Sequence, residues 1–338
     1  MADALVLSGA AAQGAFTAGV LAVLSSPATK ARLGLDVRRI VGTSSGALNG
    51  LYYAAAIRAG REPHAGARLA RLWIEQARAS RVFAPSARAM VSGRGLSSER
   101  RLLALLRHHV RPQPGSHPIE LRMAVTTLDG HLADVDGEPA TSFEQVVQFR
   151  GRDLDTDEGM SLAWQVAAAS AALPGLFAPV PVALHGRRVD GVDGGATDNT
   201  PLDRALGGTI DIGRVFVIAA VPRVVRGRSD LRWLALASHL LNVLVQERLV
   251  RELRAVARMN AALTAIDARV AGEAQRAELR DALGWMGRRP VQVVEIRPAA
   301  PLRGNALSGF FSRSLREHYV QAGIEAAQRA VAPLSAAE

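Results

Sequence analysis

The sequence predicts an α/β fold, with a mostly parallel central sheet covered by helices on both faces. Three observations carry that expectation. Short apolar runs alternate with longer helical stretches along the chain, the pattern of parallel strands joined by crossover helices. One of those runs, 37–41, leads through a turn of small residues directly into a helical stretch. Finally, 49% of the 338 residues are hydrophobic and only 21% are charged, the profile of a globular chain with a large core.

The elements follow in order. A strand is expected at 4–7, a helix at 15–24 and a second strand at 37–41. Helices at 46–59, 65–79 and 97–109 precede a strand at 121–126. A helix at 161–171 leads to strands at 187–192 and 215–221. Helical stretches at 231–263 and 272–286, a strand at 291–296 and a helix at 313–331 complete the chain. The Pro/Gly-rich segments 111–118 and 134–139 read as loops inside a domain, and no internal repeat divides the sequence. The expectation is one domain over 1–338, with its motif-bearing core at about 4–205 and a helical C-terminal elaboration at about 229–334.

Composition narrows the function. With no cysteine, thiolate catalysis, Fe–S clusters and zinc-thiolate sites are excluded. No histidine pair has metal-ligand spacing with carboxylates nearby, and adjacent His108 and His109 cannot both face one ion from a helix, so neither metal nor cofactor is expected. The apolar run 4–7 is too short for a signal-peptide core. The most apolar stretch, 234–245, is broken by Ser238, His239 and Asn242, well short of the ~20 residues a membrane span requires. A cytoplasmic protein, or one held peripherally at a membrane, is expected. Its 41 basic and 31 acidic side chains give a net charge of +10, and Lys30 is the sole lysine. An arginine-rich surface suits the phosphates of nucleic acid or of anionic lipid headgroups. Nucleic acid is not expected, because neither an aromatic platform nor a recognisable motif accompanies the charge.

Three motifs carry chemistry. Gly42-Thr43-Ser44-Ser45-Gly46 is a G-x-S-x-G match between a strand and a helix, the setting of a nucleophile elbow. The flanking glycines let backbone pass close, so that the serine hydroxyl projects from a sharp turn at a helix N-terminus. The alternative is an ordinary capped turn. Gly9-Ala10-Ala11-Ala12-Gln13-Gly14 joins the first strand to the first helix. It lacks the Lys-Ser/Thr pair of a P-loop, and Ala11 stands where a dinucleotide loop needs its second glycine. An oxyanion hole, which needs only backbone N–H groups, is the remaining binding function; a tight alanine-packed connection is the alternative. Asp193-Gly194-Gly195 offers a carboxylate on an open turn that can take a proton from a neighbouring hydroxyl, although Asp190-Gly191 is a second such turn.

Together these motifs resemble the patatin-like phospholipase family, bacterial type. The family pattern of strand, G-G-G-x-[KR]-G and a helix ending G-V-L is matched in register by Leu5-Val6-Leu7-Ser8-Gly9-Ala10-Ala11-Ala12-Gln13-Gly14 and the following residues to Gly19-Val20-Leu21. The elbow from Val41 to Asn49 is similar as well. So are the stretch from Ala169 to Val180 and Asp193-Gly194-Gly195-Ala196-Thr197-Asp198-Asn199-Thr200-Pro201, the family's D-G-G…N-x-P. That last spacing selects Asp193 over Asp190.

The resemblance implies a patatin-like fold and a serine acyl hydrolase acting on lipid esters, phospholipids foremost. Its reaction would use a Ser–Asp dyad, with Ser44 as nucleophile, Asp193 as base and an acyl-serine intermediate. It also implies oxyanion donors at Gly9, Ala10 and Ala11, with the Ser45 N–H as a secondary contributor, supported by Gly14, Gly42, Gly46, Gly194 and Gly195. Two departures stand out. Ala10 and Ala11 replace glycines and resist positive φ by ~1–2 kcal/mol, and Gln13 replaces the basic residue. A catalytically impaired lipid-binding scaffold is therefore the second expectation. A Ser–Asp–His triad esterase is the third, with His239 and His318 as the histidines after Asp193. Oligomeric state is not legible. Arg223, Arg226, Arg228 and Arg232, on the loop before the apolar helix at 231, are the candidate contact with an anionic membrane; the alternative is a solvated surface beside a helix buried against the sheet.

Overall fold

The computed structural model describes residues 1–135, 137–184, 186–224, 233–285 and 287–334, leaving out the side chains of 135, 233–242 and 244. Strand β1 (Ala2–Leu7) opens the chain and β2 (Val37–Thr43) follows a helical crossover. A small ladder joins β3 (Ala84–Pro85) to β4 (Ser97–Ser98). Then come β5 (Glu120–Val135), β6 (Glu138–Arg150), β7 (Val180–Leu184), β8 (Arg187–Asp193), β9 (Ile212–Ile218) and β10 (Gln292–Ile296). The main sheet has the order β10-β9-β1-β2-β5-β8-β7, with β6 also paired to β5. Its first five strands are parallel, while β6, β7 and β8 run antiparallel to their neighbours.

Alternation along the central strands explains why both faces are covered. Leu5 and Leu7 of β1 join Phe216 and Ile218 of β9 in one apolar cluster; Ala4 and Val6 join Val215 and Val217 in another. Successive strand residues point to opposite faces, so a strand apolar at every position must be buried twice. Helices Gly14–Leu24, Ser45–Arg58, Asp157–Ser170 and Arg313–Val331 supply the first cluster. Helices Asp203–Leu206 and Trp233–Arg269 supply the second through Ala205, Leu249, Val256 and Leu263. The final helix lies directly against helix Gly14–Leu24.

The decisive feature is at β5. Along one edge, β2 runs parallel to it, from Arg39 opposite Glu120 to Thr43 opposite Ala124. Strand β8 runs antiparallel and ends with Asp193 opposite Val125. Because β6 pairs with these same β5 residues from the other side, β2 and β8 share an edge and meet end to end. Beyond Thr127, β5 and β6 continue as a two-stranded arm.

Several elements differ from their sequence-based ranges. The strand expected at 121–126 is the first part of the longer β5, and the expected loop at 134–139 is the end of its hairpin with β6. Strands β6 and β7 were not expected: Pro139 and Pro181 break their apolar runs, and proline is confined to strand ends and edges. The helix expected from 97 begins at Arg100, because Ser97 and Ser98 pair with β3.

Candidate active site

Ser44 stands between the end of β2 and helix Ser45–Arg58, with φ 54° and ψ −125°. Such a backbone is sparsely populated for a residue with a Cβ and costs ~1–3 kcal/mol. Its surroundings hold it in place. A Cβ on Gly46 would lie 2.0 Å from the Leu7 carbonyl oxygen, and one on Gly42 would lie 2.6 Å from the Gly46 carbonyl oxygen. Only glycines let the turn fold this tightly against β1. The Ser44 N–H donates to Ser170 Oγ at 2.8 Å, and Ser170 Oγ–H donates to the Ala124 carbonyl at 2.6 Å.

Asp193 is fixed from every side. Its N–H donates to the Ala172 carbonyl, its own carbonyl accepts from Thr126 Oγ1, and Oδ1 accepts from the Gly195 N–H at 2.7 Å. Ser44 Oγ–H donates to Asp193 Oδ2 at 2.6 Å, with both residues buried. Burial pushes the Asp193 carboxyl up to about 6, against the opposing pull of the bonds from Ser44 and Gly195. Asp190 lies three residues earlier on β8 and pairs with Arg94 at the surface. Gly194 packs against the Ala124 carbonyl, where a Cβ would lie 2.2 Å from the oxygen.

The family model of patatin-like phospholipases matches residues 5–206. The chain belongs to the patatin-like phospholipase family. No curated protein matches it in sequence. The crystal structure of VipD from Legionella pneumophila is similar over 98% of this chain and 67% of its own. The two are 13% identical in sequence, with a TM-score of 0.41.

The family's glycine-rich loop takes a particular form here. The Gly9 N–H donates to the Asn199 carbonyl at 3.2 Å, and Asn199 Nδ2 donates back to the Gly9 carbonyl at 3.1 Å. The Ala10 N–H donates to Ser45 Oγ at 3.0 Å. Among the described residues, the Ala11 N–H and the Ser45 N–H have no partner, and both residues line the pocket beside Ser44. Ala10 keeps a negative φ of −158°, with ψ 16°, whereas Ala11 has φ 47°. The strain expected of both alanines therefore falls on Ala11 alone. Gly14 packs on Ser45, and Gln13, at the family's basic position, interacts with the Tyr319 hydroxyl.

An apolar pocket with about 940 Å³ of empty space, its open mouth included, reaches Ser44 and Asp193. Leu48, Leu69, Leu102, Leu106, Leu176 and Phe310 are among its walls. His109 also lines it; burial lowers the pKa of that imidazole, with His108 and Arg81 adding to the effect. Neither Ser44 nor Asp193 has a histidine among its hydrogen-bond partners in the described residues. His318 lies on the final helix against Tyr319 and does not line the pocket; the side chain of His239 lies outside the described residues. No cluster of three metal-ligating side chains occurs among the described residues.

Sequence reading missed two supports. Ser170 was seen only as part of a matching stretch, and its role emerges from the crossing of helix Asp157–Ser170 over β5. The other is Glu252, on the helix covering the second face. It accepts the N–H groups of Leu202 and Asp203, while its neighbour Arg248 reaches Asp198 at 3.3 Å. Burial and the Asp198 charge push Glu252 up to about 7. These contacts tie that helix to the loop leaving Asp193, and no local motif announces them.

Asp193 links stability to pH. Its folded pKa lies above the ordinary 3.8, so the native state loses stability as pH rises from about 4 to about 6, by ~3 kcal/mol from this group. Asp193→Asn removes that loss. In urea denaturation, the variant's advantage over wild type is expected to be larger at pH 7.5 than at pH 4.5. An equal or reversed difference would contradict a buried, charge-destabilised carboxyl.

Proposed function

We propose that the protein is a serine acyl hydrolase that cleaves lipid esters, phospholipids foremost, through a Ser44–Asp193 dyad. The observation that carries this reading is the 2.6 Å hydrogen bond between the two side chains at the end of an apolar pocket. As Ser44 Oγ attacks the ester carbonyl, its proton passes to Asp193 Oδ2. The carbonyl oxygen becomes an oxyanion facing the free N–H groups of Ala11 and Ser45 and the start of helix Ser45–Arg58. Collapse of the tetrahedral intermediate breaks the bond to the alcohol, which leaves with the proton from Asp193. Water then gives a proton to Asp193 and attacks the acyl-serine, releasing the acid and restoring Ser44. A carboxyl raised to about 6 is a stronger base than an ordinary aspartate and is still ionised at neutral pH.

Gly9 and Ala10 join the oxyanion hole in this reading only if they release Asn199 and Ser45 Oγ. That engagement is what favours the second reading, a catalytically impaired lipid-binding scaffold of the same fold. We also infer a single domain over 1–338, because β10 and the final helix pack into the sheet and helix that begin the chain. The proposed location is cytoplasmic or peripheral at a membrane; none of the described helices is long and apolar enough to cross one.

On a dissolved short-chain ester, Ser44→Ala and Asp193→Asn are each expected to lower kcat/KM at least ~1000-fold while remaining folded. Asp190→Asn, His239→Ala and His318→Ala should stay within ~3-fold. Collapse in a folded histidine variant would replace the dyad with a triad, and no hydrolysis by the wild type would favour the scaffold.

Ala11→Gly separates strain from aim. Freed from its positive-φ penalty, the loop should raise kcat with KM little changed, whereas Ala10→Gly should not. Slower turnover in Ala11→Gly would mean that alanine already holds the N–H in its productive direction.

A further inference from the structure

Large apolar side chains left in water gather beside the catalytic pocket. Val91 is 91% exposed, Phe311 76%, Leu96 56% and Met90 49%. Scattered singly they would require no explanation, but their segments adjoin the pocket wall. The Leu96 N–H donates to the Leu176 carbonyl, and the Phe83 ring packs on Phe177 at 5.4 Å and on Phe310 at 5.1 Å. Leu176, Phe177 and Phe310 line the pocket, and Phe311 follows Phe310 in the chain. Met90 and Val91 end the short helix Ala87–Val91, held between the paired strands β3 and β4.

The surrounding chain is basic. Segments 86–101 and 299–314 hold Arg88, Arg94, Arg100, Arg101, Arg303 and Arg313 against Glu99 alone. Arg94 pairs with Asp190 and Arg313 with Glu317, while Arg88 and Arg303 have no carboxylate partner among the described residues. A second exposed apolar group, Leu128, Leu132 and Phe143 on the β5–β6 arm, has the opposite setting, with Asp129, Asp134 and Glu138 around it. Exposed apolar side chains on arginine-rich segments suit an interface of acyl chains and anionic headgroups; the acidic arm does not.

We propose that the rim formed by Met90, Val91, Leu96 and Phe311, with Arg88 and Arg303 beside it, docks the protein on an anionic phospholipid surface. The hydrolase reading supplies the reason for a lipid surface at this mouth, since an ester must leave the bilayer to reach Ser44, but binding itself does not require catalysis. Of the arginines expected at a membrane from the sequence, Arg223 sits 3.7 Å from Glu295; Arg226, Arg228 and Arg232 lie outside the described residues.

The test is co-sedimentation of the full chain with vesicles of phosphatidylcholine alone or mixed with phosphatidylglycerol, paired with hydrolysis of a dissolved short-chain ester. Wild type is expected to bind the mixed vesicles at least tenfold more tightly than the neutral ones, and less tightly as salt rises, because exposed charge is screened. Val91→Asp with Phe311→Asp should lose that binding at least tenfold while hydrolysing the dissolved ester within twofold of wild type. Leu132→Asp should bind as wild type does. Unchanged vesicle binding in the double variant, or equal wild-type binding to both vesicle types, would overturn the proposal. A micromolar dimer that the double variant dissociates, seen by sedimentation velocity, would assign the rim to a second copy of the chain instead. Absence of ester hydrolysis in the wild type would sink the hydrolase reading alone, leaving the vesicle comparison to decide this one.

Discussion

Two strands that run toward each other along one edge of β5 set the geometry of this site. Strand β2 reaches Ala124 from one direction and β8 reaches Val125 from the other, so their last side chains meet across one residue step of β5. Neither strand can continue. The chain after β2 turns up into a helix at Ser44, and the chain after β8 turns away through Gly194 and Gly195. The hydroxyl and carboxylate are thus held together by backbone pairing on both sides rather than by a flexible loop. In the proposed reaction this supplies proximity before any substrate binds.

The arrangement is costly, and its costs have visible counterweights. The Ser44 backbone is strained, and Ser170 ties its N–H to the same Ala124 carbonyl region where the strands meet. The Asp193 carboxylate is buried, and the two hydrogen bonds it receives among the described residues do not offset that burial, so its proton affinity stays high. In a water-exposed polar turn the same kind of side chain would be a weaker base. Asn199 clamps the loop that carries Ala11, while Arg248 and Glu252 hold the segment on either side of Asn199. The long helix on the far face of the sheet therefore reaches the site through a polar cluster. Active sites concentrate this kind of strain and desolvation because the surrounding fold over-determines them.

Much of this could be read in advance where the signal is local. Strands β1, β2 and β9 are runs apolar on both faces, and the elbow at Gly42–Gly46 announces its own turn. Asp193 was separable from Asp190 only by its spacing to Asn199 and Pro201, which is a resemblance rather than physics. What stayed hidden is non-local. The antiparallel pairing of β6 and β7 was masked by proline and polar residues, so the end-to-end meeting at β5 could not be seen. The engagement of Gly9 and Ala10 with Asn199 and Ser45 depends on how three separate segments pack. The strain at Ala11 and its absence at Ala10 likewise follow from the loop's path, not from residue type.

The central claim is that Asp193 alone activates Ser44. The most direct measurement is the rate at which a fluorophosphonate modifies Ser44, followed by intact-protein mass spectrometry from pH 4 to 9. The account predicts a single rise with a midpoint near 6, unchanged in His109→Ala and His318→Ala, and a slow, flat profile in Asp193→Asn. A titration that persists in Asp193→Asn, or disappears in either histidine variant, would contradict it.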